Sequence, residues 1–294
     1  MHSIVFIGIL FLHGTPAVAQ EVTGRELMSY VQGIEGKSPE GRREFIKQQL
    51  RRFGVPFRTQ SFDTTLTFGK RSLKVSGENI LVRVGSGSRH IIVGAHLDAV
   101  PNSPGANDNG GGVAVLLGLI RDLKNSSWNT SVDFCFFDQE EMGLIGSAVY
   151  VKHYAERENH LAMINLDVEG MGDEVYVGPV GGGDDEFIMK YVEQAKQKTG
   201  YKVQAREFYP PSDWGSFAAA KLENISISVV PKGDVDLLAQ AVKDNWQVDS
   251  TRIPVVLKTM HTPEDKSIHM SPDALKISFE FTKALILLLN NSRN

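Results

Sequence analysis

Apolar residues recur at helical spacing over Glu21–Ile34 and again over Pro39–Phe53, where Ser38-Pro39 supplies a start signal. The period then shortens to two. Leu66, Phe68, Leu73, Val75, Ile80, Val82 and Val84 alternate with polar positions along Arg58–Val84, which predicts a hairpin and further strand, with Gly69 and Gly77 as punctuation. From there short β-rich runs alternate with helical stretches: strand His90–His96, helix Gly111–Leu123, strand Ser131–Phe137, helix Leu144–Tyr154 and strand Ala162–Val168. A strand over Glu174–Gly178, a helix over Asp185–Thr199, a strand over Ile225–Val230 and a closing helix over Pro272–Leu289 follow. This alternation predicts an α/β sheet with helices on both faces. In such sheets ligands gather where loops leave the carboxyl ends of the strands.

The first residues fall outside that pattern. Ile4–Leu12 is an unbroken apolar run, followed by His13-Gly14-Thr15-Pro16 and the small-x-small triplet Ala17-Val18-Ala19. Such a run is too short for a membrane span of roughly 20 apolar residues and reads as a secretory signal over 1–19, cleaved after Ala19. The segment lacks the usual Lys or Arg before its apolar core, which leaves an uncleaved anchor as the alternative. A secreted or periplasmic location is therefore expected, with no membrane attachment after cleavage. Residues 20–294 are expected to form a single domain, since 41% of the chain is apolar and no low-complexity tract interrupts it.

A net charge of −4 and the lack of Lys/Arg blocks argue against a nucleic-acid partner and leave small molecules or peptides. The single cysteine, Cys135, lies inside Val132–Phe137, so no intrachain disulfide can form and the thiol is expected to pack as a small hydrophobe.

Polar residues with chemical potential collect at the predicted strand ends. In Gly94-Ala95-His96-Leu97-Asp98, strand alternation puts His96 and Asp98 on one side of the chain, so Asp98 can accept the second ring N–H of a metal-bound His96. Gly105-Ala106-Asn107-Asp108-Asn109-Gly110-Gly111-Gly112 runs into an apolar helix; Asp108 can bridge two cations while Asn109 or the loop backbone caps the helix. Its glycines lack the spacing of a phosphate cradle. Asp138-Gln139-Glu140-Glu141 follows an apolar strand, where adjacent carboxylates need a cation or protons to offset their burial. One of the two glutamates can ligate while its neighbour takes a proton from water. Asp167 and His261 complete a mixed N/O set that favours Zn²⁺ over thiolate-type sites.

In order along the chain, His96-Leu97-Asp98, Gly105-Ala106-Asn107-Asp108-Asn109, Glu140-Glu141-x-Gly-Leu-x-Gly-Ser, Asn165-Leu166-Asp167, Ser212-Asp213-Trp214 and His261-Thr262 resemble the co-catalytic zinc aminopeptidases. That family includes secreted bacterial leucyl-type aminopeptidases, glutamate carboxypeptidases and glutaminyl cyclases, and the likeness spans residues 78–290. It implies an α/β, three-layer fold with a central mixed, mostly parallel sheet. It implies two Zn²⁺ ions bridged by Asp108, one completed by His96 and Asp167, the other by Glu141 and His261, with Glu140 as general base. It also implies a cis Asp108–Asn109 bond and an exopeptidase whose peptide substrate offers a free N-terminus. The family often has Asp-Asp-x-Ser-Gly where this chain has Asp108 followed by Asn109-Gly110-Gly111-Gly112; Asn109 is not a ligand position, so metal binding is expected to survive. Asp98, Asn109, Asp213 and Asp265 are expected to support the ligands, and Tyr209 and Trp214 to wall the substrate pocket, Tyr209 as a candidate oxyanion donor. The stretch Lys232–Thr259 with Trp246 is a further candidate wall. The alternatives are a glutaminyl cyclase, against which Met260 stands where cyclases tend to carry Trp, and a non-catalytic binding domain of the same fold.

Overall fold

A computed structural model describes residues 21–69, 71–181 and 186–292; the expected signal segment 1–19 lies outside them. Two helices open the described chain. α1 (Gly24–Ile34) starts where the Thr23 hydroxyl accepts the Glu26 N–H, which is why it begins three residues after the start of its apolar periodicity. α2 (Pro39–Phe53) starts with Ser38 accepting the Gly41 N–H and with proline in its first turn, and Gly54 ends it at φ +67°.

β1 (Arg58–Phe68) and β2 (Arg71–Val84) form a long antiparallel hairpin in which Arg58 faces Leu81. Next come β3 (His90–His96), α3 (Gly111–Leu123), β4 (Ser131–Phe137), α4 (Ile145–Lys152), β5 (His160–Leu166) and β6 (Glu174–Gly178). The chain closes with α5 (Glu186–Thr199), β7 (Val203–Ala205), α6 (Trp214–Ala219), β8 (Asn224–Val230), α7 (Asp234–Lys243) and α8 (Pro272–Asn290). The eight strands make one sheet in the order β1-β2-β4-β3-β5-β8-β6-β7. Its centre, β4-β3-β5-β8, is parallel, while β2 and β6 run antiparallel to their inner neighbours.

Strand alternation divides the core in two. Ile91, Val93 and Ala95 of β3, Val132, Phe134 and Phe136 of β4, and Ile164 and Leu166 of β5 face α1, α3, α5 and α8. The opposite residues, Ile92, Cys135, Phe137 and Met163, meet Tyr150 and Val151 of α4 and Phe217 of α6. Helices therefore cover both faces, as the alternation of elements predicts. α3 is buried over most of its circumference because the sheet lies on one side and α1 and α8 on the other. Cys135 is fully buried, and burial raises its thiol pKa well above the usual range, as expected of a packing residue.

Some expected boundaries move. β5 ends at Leu166 rather than Val168: Val168 turns to φ +63°, although the Asp167 N–H still donates to the Ile227 carbonyl of β8. Helices α6 and α7 and strand β7 have no counterpart in the expected pattern. Among the described residues no helix is long and apolar enough to cross a membrane.

Phe136 is fully buried between β4 and the larger helical layer. Phe136→Ala is expected to lower unfolding stability by about 3–5 kcal/mol in a urea titration.

Candidate metal centre

The parallel strands bring their carboxyl ends to one rim. His96 is the last residue of β3, the turn Asp138–Glu141 leaves β4, and Asp167 follows β5. Asp108 sits in the irregular turn Ala106–Gly110 that feeds α3, and the Asp108–Asn109 bond is cis. The two glutamates ride a tight reversal in which Gln139 has φ +62° and the N–H groups of Gly143 and Leu144 both donate to the Glu140 carbonyl. His261 arrives from the segment after the single turn Val256–Lys258, at φ +59° and with its imidazole half exposed.

These side chains make two niches that share Asp108. Its Oδ1 lies 3.1 Å from His96 Nε2, which is also 3.5 Å from Asp167 Oδ1. Its Oδ2 lies 2.9 Å from His261 Nε2, which is also 3.2 Å from Glu141 Oε2. In each niche one donor atom per residue lies within 4.8 Å of the others, and Glu140 stands within the same range of His96 and Glu141.

Electrostatics shows what the niches lack. Burial opposes charge on His96, yet Glu140, Asp108 and Asp167 outweigh it and hold the imidazole well above its usual pKa. Hydrogen bonds to Asp108 and Glu141 lift His261 to about 10. Burial pushes Asp108 up, but its imidazole partners win and keep its carboxyl below the ordinary range. Glu140 goes the other way, lifted to about 9 by burial, with Asp213, Asp167 and Asp108 adding to that effect and His96 opposing it. Protons on the imidazoles thus hold the carboxylates together. Each imidazole Nε2 is shared between two carboxylates, and Asp167 Oδ1 and Glu141 Oε1 are buried without a hydrogen-bond partner among the described residues. A divalent cation in each niche would meet all three donors, and the His/Asp/Glu set fits zinc.

Asp98, Asp265 and Asn109 hold backbone rather than ligand side chains. Asp98 Oδ1 is 3.4 Å from His96 Nδ1, but the shorter contacts of this carboxylate are the N–H groups of Glu140 at 3.1 Å and Glu141 at 3.2 Å. It therefore ties the end of β3 to the glutamate turn. Asp265 accepts the N–H groups of Asn107 and Asp108, and burial raises its carboxyl to about 6. Asn109 accepts the Gly112 N–H and donates to the Leu166 carbonyl, which caps α3 and fastens it to β5. Asp213 is fully buried with both oxygens lacking a hydrogen-bond partner among the described residues, and burial raises its pKa to about 7.

A cleft of about 390 Å³ opens over the niches. Its wall away from the charges is apolar, built from Val230, Leu238, Trp246, Val256 and Leu257, so the segment 232–259 takes the wall position expected of it. Tyr209 also lines the cleft but is 3% exposed, and its hydroxyl meets Ser228 Oγ at 2.6 Å. Ser228 in turn donates to the Asp167 carbonyl, which makes Tyr209 the donor in its own pair. In this arrangement its proton is directed at Ser228, not at a substrate oxygen. Trp214 stands outside the cleft lining: it packs against the apolar cluster that includes Tyr209 and Val230, and its indole N–H donates to the Pro210 carbonyl. The tryptophan at the cleft is Trp246.

Residues 79–286 match a model of Peptidase family M28. The chain belongs to that family. This M28 chain is 27% identical over 237 residues to Aminopeptidase YwaD of Bacillus subtilis, a match covering 78% of this chain and 48% of that protein. It thus spans about half the length of that curated relative, and 35% of leucine aminopeptidase 2 of Trichophyton rubrum. Among solved structures, BSAP, a zinc aminopeptidase from Bacillus subtilis, aligns with a TM-score of 0.73 at 17% identity over 92% of this chain and 96% of that one. A glutaminyl cyclase from Porphyromonas gingivalis aligns with a TM-score of 0.69 at 18% identity over 92% and 98%. At these identities the structural likenesses speak for the shared three-layer fold.

Two residues that brace the niches were not anticipated from the sequence. Glu169 is fully buried and accepts the Asp167 N–H, and Asn107 Oδ1 accepts the Gly170 N–H. Both lie within two residues of recognised donors, and that closeness is the signal that was available for them.

Asp265→Asn turns one acceptor for the Asn107 and Asp108 N–H groups into a donor. Zinc affinity, measured by competition with a fluorescent chelator, is expected to fall roughly 10- to 100-fold.

Proposed function

We propose that the chain is a secreted or periplasmic metallo-aminopeptidase that binds two zinc ions and removes N-terminal residues from peptides. The observation that carries this reading is the division of Asp108, whose two oxygens serve two separate His-carboxylate niches. His96, Asp108 and Asp167 would hold one ion and Asp108, Glu141 and His261 the other, with residues 20–294 acting as one catalytic domain. Bound zinc would supply Lewis acidity, lowering the pKa of a water and polarising the peptide carbonyl.

The chain's own residues do the rest. Glu140 lies within reach of His96 and Glu141 without belonging to either Asp108-centred niche, so its carboxylate can take a proton from the attacking water and pass it to the leaving amine. The likeness to proteins named as aminopeptidases supports exopeptidase rather than internal cleavage. The apolar wall of Val230, Leu238, Val256 and Leu257 suits an aliphatic side chain at that terminus.

Glu140→Gln is expected to lower kcat on leucyl-p-nitroanilide by roughly 10²- to 10⁴-fold while zinc content is retained. Chelation should abolish amine release, and zinc should restore it, with full rate at two ions per chain. Leucyl substrates should outperform aspartyl and glutamyl ones. Pyroglutamate formation from glutaminyl peptides without cleavage would replace this reading with a cyclase, and zinc binding with neither reaction would favour a binding domain.

A further inference from the structure

Helix α2 lies outside the 79–286 stretch that matches the family, yet two consecutive arginines on it reach the loops that carry the niche donors. Arg42 is 1% exposed, and among the described residues it makes no salt bridge. Its guanidinium fans out to three carbonyls: Nε donates to Leu97, Nη1 to Pro104 at 3.2 Å and Nη2 to Gly105 at 3.2 Å. Those carbonyls bracket the segment that starts one residue after His96 and ends three residues before Asp108. The carboxylates of Asp98, Asp108, Asp265 and Glu141 act on its charge through space, which helps offset the burial of a cation.

The loop closes on this side chain from the other side. Gly105 has φ +64°, and a Cβ there would fall 2.9 Å from Arg42 Nη1 and 2.5 Å from the Ala99 Cβ. The neighbouring Arg43 pairs with Asp138 at 2.7 Å, and Asp138 also accepts the Glu78 and Gln139 N–H groups at the head of the glutamate turn. Irregular chain leaving a strand has buried carbonyls without ladder partners. A planar fork of five donors can meet three of them at once, whereas a lysine presents its donors from one point.

We propose that Arg42 is a positioning residue of the metal centre: it fixes segment 97–105 so that His96 and Asp108 keep their spacing across the shared niche. The inference rests on the metallopeptidase reading, so zinc affinity is measured separately from turnover. The full chain would be compared with Arg42→Met, Arg42→Lys and a control, Arg51→Met, on the exposed face of the same helix. Circular dichroism and gel filtration establish that each is folded.

Both Arg42 variants should bind zinc roughly 10- to 100-fold more weakly than wild type. At saturating zinc their kcat should be at least about tenfold lower with KM within about threefold of wild type, while the control is unchanged. A residue that only supports the fold would lower the melting temperature and leave zinc affinity and kcat alone. Wild-type zinc affinity and kcat in folded Arg42→Met, or full rescue by Arg42→Lys, would overturn the inference. A wild type that binds zinc but cleaves nothing would remove the peptidase reading, and zinc affinity alone would still decide the role of Arg42. If Arg42→Met does not fold, Gly105→Ala crowds the guanidinium from the loop side and should weaken zinc binding to the same degree; unchanged affinity there would sink the idea.

Discussion

Asp108 faces His96 with one oxygen and His261 with the other, and the rest of the rim is arranged to make that double contact possible. A buried carboxylate placed between two imidazoles needs a rigid backbone, because a small shift would serve one side at the expense of the other. Its own N–H and that of Asn107 are held by Asp265, and the neighbouring Asn109 is tied to the end of β5. The two restraints come from different parts of the chain, so the turn that carries the carboxylate is held from two sides. The parallel centre of the sheet then brings His96, the glutamate turn and Asp167 to the same edge.

The cleft combines two environments within a short distance. Its floor concentrates carboxylates whose repulsion must be neutralised, by protons in the protein alone and by cations when they bind. Its wall is apolar and comes from β8, α7, Trp246 and the turn Val256–Lys258. That turn leads directly to His261, so wall and floor share one segment.

Much of the fold was legible because its central strands are continuous apolar runs with polar ends. β3, β4, β6 and α3 begin and end where the pattern of residues places them, since burial there is nearly complete and the transition to polar sequence is abrupt. α6 and β7 are six and three residues long, too short to establish a period, and α7 lies inside the stretch 232–259 that was read as a cleft wall. The niche donors were legible because each lies in a short motif, three of them at or just after a strand end and Asp108 and His261 in turns. Trp246 and Trp214 could not be ranked, because sequence gives aromatic character but not the direction of a ring. Arg42 carried a readable clue: with Ile46, Gln49 and Leu50 it lies on the buried stripe of α2, where a guanidinium calls for a partner. The identity of that partner depended on a loop more than fifty residues away.

Cys135 has a practical consequence. It is the chain's one thiol, fully buried in the second core between β4 and helices α4 and α6, and it belongs to the strand that ends in the glutamate turn. Thiol-modifying reagents can reach it only when that part of the sheet opens, so its labelling rate clocks native-state opening without an introduced probe. With one cysteine in the chain, no intrachain disulfide competes with the label. Any slowing on adding zinc would report how tightly the ion joins the strands to one another.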